Sequence, residues 1–134
     1  MASIIKVNTF TGASTAGSIA VTGEGNSTTT NLQQGLIKAW ARLNPNTLQD
    51  SFNNSSIGDN GTGDYTVTRT SIMSDTNYTH GGIAGASTNN LINISQNRNN
   101  YVPTTTVSRY ALTYANTSSY DSIFIGAQLF GDLA

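Results

Sequence analysis

One nine-residue segment, Ser122–Phe130 (SIFIGAQLF), restricts the fold more than any other stretch of the chain. Successive side chains of a strand point to opposite faces. Ile123, Ile125, Ala127 and Leu129 then share one side, and Phe124 and Phe130 the other. A strand apolar on both faces needs cover on both, so it is central in a sandwich or lies in a subunit interface. Trp40, Ile123, Phe124, Ile125, Leu129 and Phe130 are accordingly the candidate residues of an oligomer interface.

The rest of the chain alternates short apolar runs with turn clusters. Twenty Thr, fifteen Ser, sixteen Asn and thirteen Gly make up close to half of the 134 residues. These types favour strands and turns over helix interiors. Phe52–Ile57 and Tyr65–Thr70 read as a hairpin whose loop, Gly58–Asp64, draws on Asp, Asn and Gly for positive φ angles. Tyr78–Ala84, Leu91–Gln96 and Thr105–Tyr114 read as further strands. In the last, Tyr110, Leu112 and Tyr114 face opposite Val107, Arg109 and Ala111.

The segment Asn31–Leu43 fits two patterns. Asn31 and Gln34 suit a helix cap, whereas Ile37, Ala39, Ala41 and Leu43 alternate with Lys38, Trp40 and Arg42 as in a strand. A helical turn over Asn31–Gly35 followed by a strand closed at Pro45 reconciles them. The expectation is an all-β protein: an antiparallel sandwich of six or seven strands over residues 37–134, preceded by an extended arm over residues 1–36. The arm holds Ile4, Ile5, Val7, Ile19 and Val21 as short apolar pairs, too few for a core of their own. Either it is flexible or other chains order it by pairing, and the recurrence of the pairs favours pairing.

Only 10% of residues are charged, and the net charge is −1. That leaves no basic footprint for nucleic acid or an acidic membrane. It also makes burial against sister subunits inexpensive, since few charges need desolvation. With no cysteine, neither disulfides nor thiolate metal sites are available. Met1–Phe10 lacks the pattern of a signal peptide, and no apolar run approaches the roughly 18 residues of a membrane span.

Candidate chemistry is sparse. His80, the sole histidine, has Asp75 and many hydroxyls for company but no GxSxG elbow, and a structural role fits it better than a nucleophilic triad. Asp59, Asn60 and Asp64 offer oxygens to a hard cation, yet DNGTGD is too short for a calcium loop and a plain turn explains the same residues. Glu24 is the sole Glu, so a pair of carboxylates for glycoside cleavage is not assembled. No catalytic residue, metal site or cofactor is therefore expected. Seven NxS/T sequons reflect the Asn, Ser and Thr content. Trp40, Tyr65, Tyr78, Tyr101, Tyr110, Tyr114 and Tyr120 are available to stack on sugars, with Asn89, Asn90, Asn99 and Asn100 as partners for sugar hydroxyls.

Four blocks, ASIIKVNTFTG, TTTNLQQGLIKAW, SFNNSSIGDNGTGDYTV and FIGAQLFGD, resemble small tail-fibre-type structural proteins of marine and cyanobacterial tailed bacteriophages. The most specific is SSIGDNGTGDYTV preceded by KAW, and the likeness spans the chain in patches. It implies a non-enzymatic virion protein, assembled in the host bacterial cytoplasm. Such a protein is most often a homotrimer displayed as a fibre or knob on the tail, or as a capsid decoration. Its partners are then other copies and other virion proteins. The alternative is a module at a virion tip that binds a host receptor or surface glycan. The chain departs from the family pattern at Asn54, usually apolar, and Arg69, often aromatic, which makes the packing face of the hairpin partly polar or turned to a partner.

Overall fold

A computed structural model describes residues 4–13, 19–22, 29–44, 47–86, 92–96, 101–115 and 118–134. The chain divides into two units, Met1–Leu36 and Ile37–Ala134. In the first, β1 (Ala20–Thr22) pairs antiparallel with β2 (Thr29–Asn31), with Val21 opposite Thr30. A single helical turn, α1 (Leu32–Gly35), follows, and the Leu32 N–H donates to the Ile19 carbonyl at 2.8 Å. The turn expected over Asn31–Gly35 is thus present, starting one residue later. Ile4–Val7, whose apolar residues share a face only if the segment is a strand, carries no secondary structure. A strand needs a partner for its N–H and C=O groups, and no described segment of the chain is hydrogen-bonded to Ile4–Val7 as a strand.

The second unit is an antiparallel β-sandwich of eight strands. These are β3 (Ala39–Asn44), β4 (Thr47–Phe52), β5 (Asn54–Asp59), β6 (Asp64–Arg69), β7 (Thr79–Gly85), β8 (Ile92–Ser95), β9 (Val107–Tyr114) and β10 (Phe124–Phe130). One sheet runs β4-β3-β10-β7 and the other β5-β6-β9-β8. Ala41, Leu43, Ile125 and Ala127 of the first sheet pack on Tyr65, Val67, Tyr110 and Leu112 of the second. A smaller cluster of Ala39, Met73 and Leu129, flanked by Tyr78 and Leu133, closes one end.

The count of eight, against the expected six or seven, has one cause. Phe52–Ile57, read as one strand, is two: β4 ends in the first sheet, β5 begins in the second, and Asn53 stands between them at φ 58°. Asn tolerates this left-handed backbone better than other side chains. Its amide also fastens the corner, donating from Nδ2 to the Lys38 carbonyl at 3.0 Å and accepting at Oδ1 from the Ser71 N–H at 2.6 Å. Asn54 donates from Nδ2 to the carbonyl of Trp40 at 2.8 Å.

Two single-residue expectations are corrected. Ile37 does not share the face of Ala39: it is exposed and Lys38 is buried, because β3 begins only at Ala39 after a bend. Ile123 likewise lies outside β10 on a bend and is exposed, while its neighbour Ser122 is buried. Pro45 and Leu91 fall outside the described residues. Asn44 nevertheless pairs with Thr47, so only two residues join β3 to β4.

Candidate functional site

β10 is flanked by β3 and β7, and its inner residues Ile125, Ala127 and Leu129 fill the core. Its outer residues Phe124, Gly126, Gln128 and Phe130 alternate with them. Two rungs cross this outer face. Phe52, Trp40, Gln128 and Gly81 are register partners in turn, and so are Asp50, Arg42, Gly126 and Ile83. Glycines at two positions leave the sheet without side chains there. Between the β3 and β7 residues lies an open trough of about 470 Å³, floored by Gly126 and lined by Ile37, Trp40, Arg42, Ile83, Phe124 and Gln128.

A Cβ at Gly85 would stand 2.2 Å from the Phe124 ring, so only glycine lets Phe124 lie flat there. Arg42 in turn sits over that ring, its guanidinium carbon 5.2 Å from the centroid. Such cation–π contacts fix a side chain while leaving its N–H groups available. Asp50 stands opposite Arg42, but its carboxylate accepts the Ser51 N–H at 2.8 Å. Asp64 and Arg109 form a bidentate ion pair at 2.7 and 2.6 Å.

His80 lies on the opposite, inner side of β7. Its Nε2 is 2.9 Å from Ser108 Oγ, and the Gln96 amide nitrogen lies against both ring nitrogens. The rings of Tyr78 and Tyr110 meet it edge-on. Arg69, 5% exposed, donates from Nη1 to the same Ser108 hydroxyl at 2.6 Å. Its other donors reach the carbonyls of Thr104, Thr105 and Val107. Burial, and then the Arg69 charge, push the histidine down to about 4. A nucleophile must meet its substrate, and Ser108 is 2% exposed with a cation hydrogen-bonded to it. Asp75 instead accepts the Asn77 N–H at 2.7 Å, capping a turn. The geometry is that of a buried polar tie.

The DNGTGD loop is also structural in its bonding. Asp59 Oδ1 accepts the Gly61 N–H at 2.9 Å, Asn60 Nδ2 donates to Thr66 Oγ1 at 2.7 Å, and Asp64 holds Arg109. The positive φ angles expected of Asp, Asn and Gly belong to Gly61 and Gly63 alone. Asp121, distant in sequence, fastens the loop by accepting from the Gly63 N–H at 2.6 Å and the Tyr65 hydroxyl at 2.8 Å. No group of three His, Cys, Asp or Glu suited to a metal occurs among the described residues.

Of the aromatic residues proposed for sugar stacking, Tyr65 and Tyr110 are core. Tyr114 and Tyr120 stack on each other at 4.4 Å, and the hydroxyls of Tyr78 and Tyr101 donate to backbone carbonyls. Trp40 alone stands on an open face. Asn89, Asn90, Asn99 and Asn100 lie outside the described residues. Of the interface candidates, Ile125 and Leu129 are buried within their own chain, and Trp40, Ile123, Phe124 and Phe130 remain at the surface in whole or part. Of the arm candidates, Ile4, Ile5, Val7 and Val21 are more than half exposed, as is Phe10. Arg42, Ile83, Gly126 and Gln128 went unremarked as site residues, although the outward alternation of Trp40 and Arg42 was visible.

Comparison with family models, curated proteins and solved structures gives no match. No helix among the described residues is long and apolar enough to cross a membrane.

Proposed function

We propose that this chain is a non-enzymatic structural protein of a bacteriophage virion, a trimeric fibre- or knob-like module joined to its neighbours through its arm. The observation that carries the reading is a contrast between the two units. Residues 37–134 close a core of their own, whereas Ile4, Ile5, Val7, Phe10 and Val21 are left to solvent. Burying an apolar side chain contributes about 1.5–3 kcal/mol, so five such residues on a partner favour assembly by about 8–15 kcal/mol before the costs of ordering and association are subtracted. The unpaired backbone of Ile4–Val7 suits strand addition to an open sheet edge of a neighbouring copy or another virion protein. The virion setting comes from the sequence blocks that resemble phage tail-fibre-type proteins. The low charge agrees with assembly, since few ions are desolvated.

Light scattering on the purified chain tests the assembly, with Ile4, Ile5, Val7 and Phe10 replaced together by Ser as the comparison. The native chain is expected at three times its 14.1 kDa mass and the variant at once that mass, with the cooperative melt of the sandwich retained in both. A native monomer, or a variant that stays trimeric, refutes the arm as the joint. Gold-labelled antibody on particles tests the setting, and absence of label from virions refutes it.

A further inference from the structure

The outer trough holds a combination of groups that neither folding nor the arm requires. Four features coincide there: an indole on the lip, a pinned guanidinium, an outward amide and a floor with no side chain. Trp40 and Arg42 of β3 form one wall, Ile83 of β7 the other, and Gly126 the floor between them. Phe124 and Gln128 stand at the two ends, roughly 13 Å apart at the usual strand rise. A volume of about 470 Å³ falls within the range of small-ligand sites. Trp40 and Ile83 make the walls largely apolar, and the polar groups, Arg42 and Gln128, are few, as in such sites generally.

Charge decides the ligand class. Arg42 has no carboxylate in ion-pairing distance among the described residues, and its stack on Phe124 holds the guanidinium in place. A planar guanidinium with free donors matches carboxylate or sulfate in two-point geometry. Trp40 offers a flat apolar ring suited to the C–H face of a sugar, and Gln128 offers both a donor and an acceptor for hydroxyls. The trough is open along its length, which suits a segment of chain more than a small molecule that must be enclosed. We propose that this face binds an acidic saccharide: the sugar ring lies on Trp40, its carboxylate or sulfate pairs with Arg42, and Gln128 hydrogen-bonds a hydroxyl.

Trp40 is the sole tryptophan, so intrinsic fluorescence of the full chain reports on this face directly. Oligogalacturonate supplies the carboxylate, heparin oligosaccharides supply the sulfate, and cello-oligosaccharide is the neutral control. At least one acidic oligomer is expected to shift the Trp40 emission saturably and to bind at least tenfold tighter than the neutral one. The two acidic arms tell which anion is preferred. Added salt is expected to weaken the acidic ligand, because Arg42 is exposed. Arg42→Gln is expected to erase the tenfold preference. Gly126→Leu fills the floor and is expected to abolish binding of both classes; a Cβ at Gly126 meets Ile83 at 3.4 Å, a contact that sheet can absorb. Equal affinity for acidic and neutral oligomers, an Arg42→Gln variant with native preference, or no Trp40 response to any of the three overturns the proposal. So does a Trp40→Asp variant that disperses the native oligomer, since the face is then covered by another copy. Arg42→Gln changes only an exposed side chain, so its result stands if Gly126→Leu fails to fold.

Discussion

Gly63 shows how tightly one position is specified. It sits at φ +65°, and a Cβ there would stand 2.5 Å from the Leu112 carbonyl oxygen and 2.8 Å from backbone atoms of Tyr120. Neither neighbour is a flexible side-chain end. Gly63→Ala therefore adds a backbone clash to left-handed strain and is expected to cost about 3 kcal/mol or more in urea denaturation. Gly61, at φ +121° with open space around its Cβ position, carries strain alone, so Gly61→Ala is expected to cost about 1–2 kcal/mol. Equal losses at the two positions would show that the contact with Leu112 and Tyr120 is unimportant. Arg69 is the complementary case, a buried cation with neutral partners. It is satisfied by carbonyls, by Ser108 and Tyr78 hydroxyls, and by the Tyr78 ring 4.8 Å away. Arg69→Met frees those acceptors and is expected to cost about 2–4 kcal/mol by the same measurement. Arg69→Lys is expected to recover less than half, because one ammonium cannot reach both Thr105 and Ser108. Full recovery by Lys would mean that charge alone matters.

At the scale of elements, Arg69 belongs to a seam where β6, β7, the end of β8 and β9 meet around His80. The groups facing His80 are Arg69, Tyr78, Gln96, Ser108 and Tyr110. Its folded value of about 4 lies below the unfolded 6.5. Above pH 6.5 the ring is neutral in both states and the seam keeps its full stability. As pH falls from 6.5 towards 4 the unfolded chain binds the proton first, so stability declines through that window and levels off below it. A thermal melt series is expected to lose roughly 10 °C between pH 7 and pH 4.5, of the order set by about 2 kcal/mol once the shift is discounted for the partial exposure of the ring. His80→Gln is expected to flatten the slope, and an unchanged slope would locate the titration elsewhere. The same seam shows what the sequence made legible. β6, β9 and β10 were visible because alternation and apolar content agree in them, and so was Trp40 opposite Ala39, Ala41 and Leu43. The sheet change at Asn53 was not, because Phe52–Ile57 has no Gly or Pro, and one Asn in a run of polar residues gives no local sign of a left-handed corner. The trough was hidden for another reason. Its floor and walls come from glycines and side chains on β3, β7 and β10, which only strand order brings together. Gly81 and Gly126 lie inside segments that read as strands, and nothing local marks them as gaps on one shared outer face.

At the scale of the molecule, stability and assembly draw on different residues. Both core clusters are built from residues between Ala39 and Leu133, and none comes from the arm. Removing Met1–Thr30 therefore takes away β1 and part of β2 but no core side chain. The truncated chain is expected to unfold cooperatively, within about 1 kcal/mol of the full chain measured as a monomer. Assembly is different, since a partner that binds only the folded state stabilises it by mass action. The full chain is accordingly expected to melt several degrees higher when concentrated a hundredfold, and the truncated chain at one temperature throughout. A melting temperature independent of concentration in both would remove the arm from assembly. Dependence that survives truncation would move the joint to the sandwich, where Phe52, Trp40 and Ile83 stand exposed. That second outcome would also compete directly with saccharide binding, because one face cannot be covered by a sister subunit and remain open to a ligand. The arm and the trough are thus linked by exclusion: the better the arm accounts for assembly, the freer the outer sheet is to recognise something else.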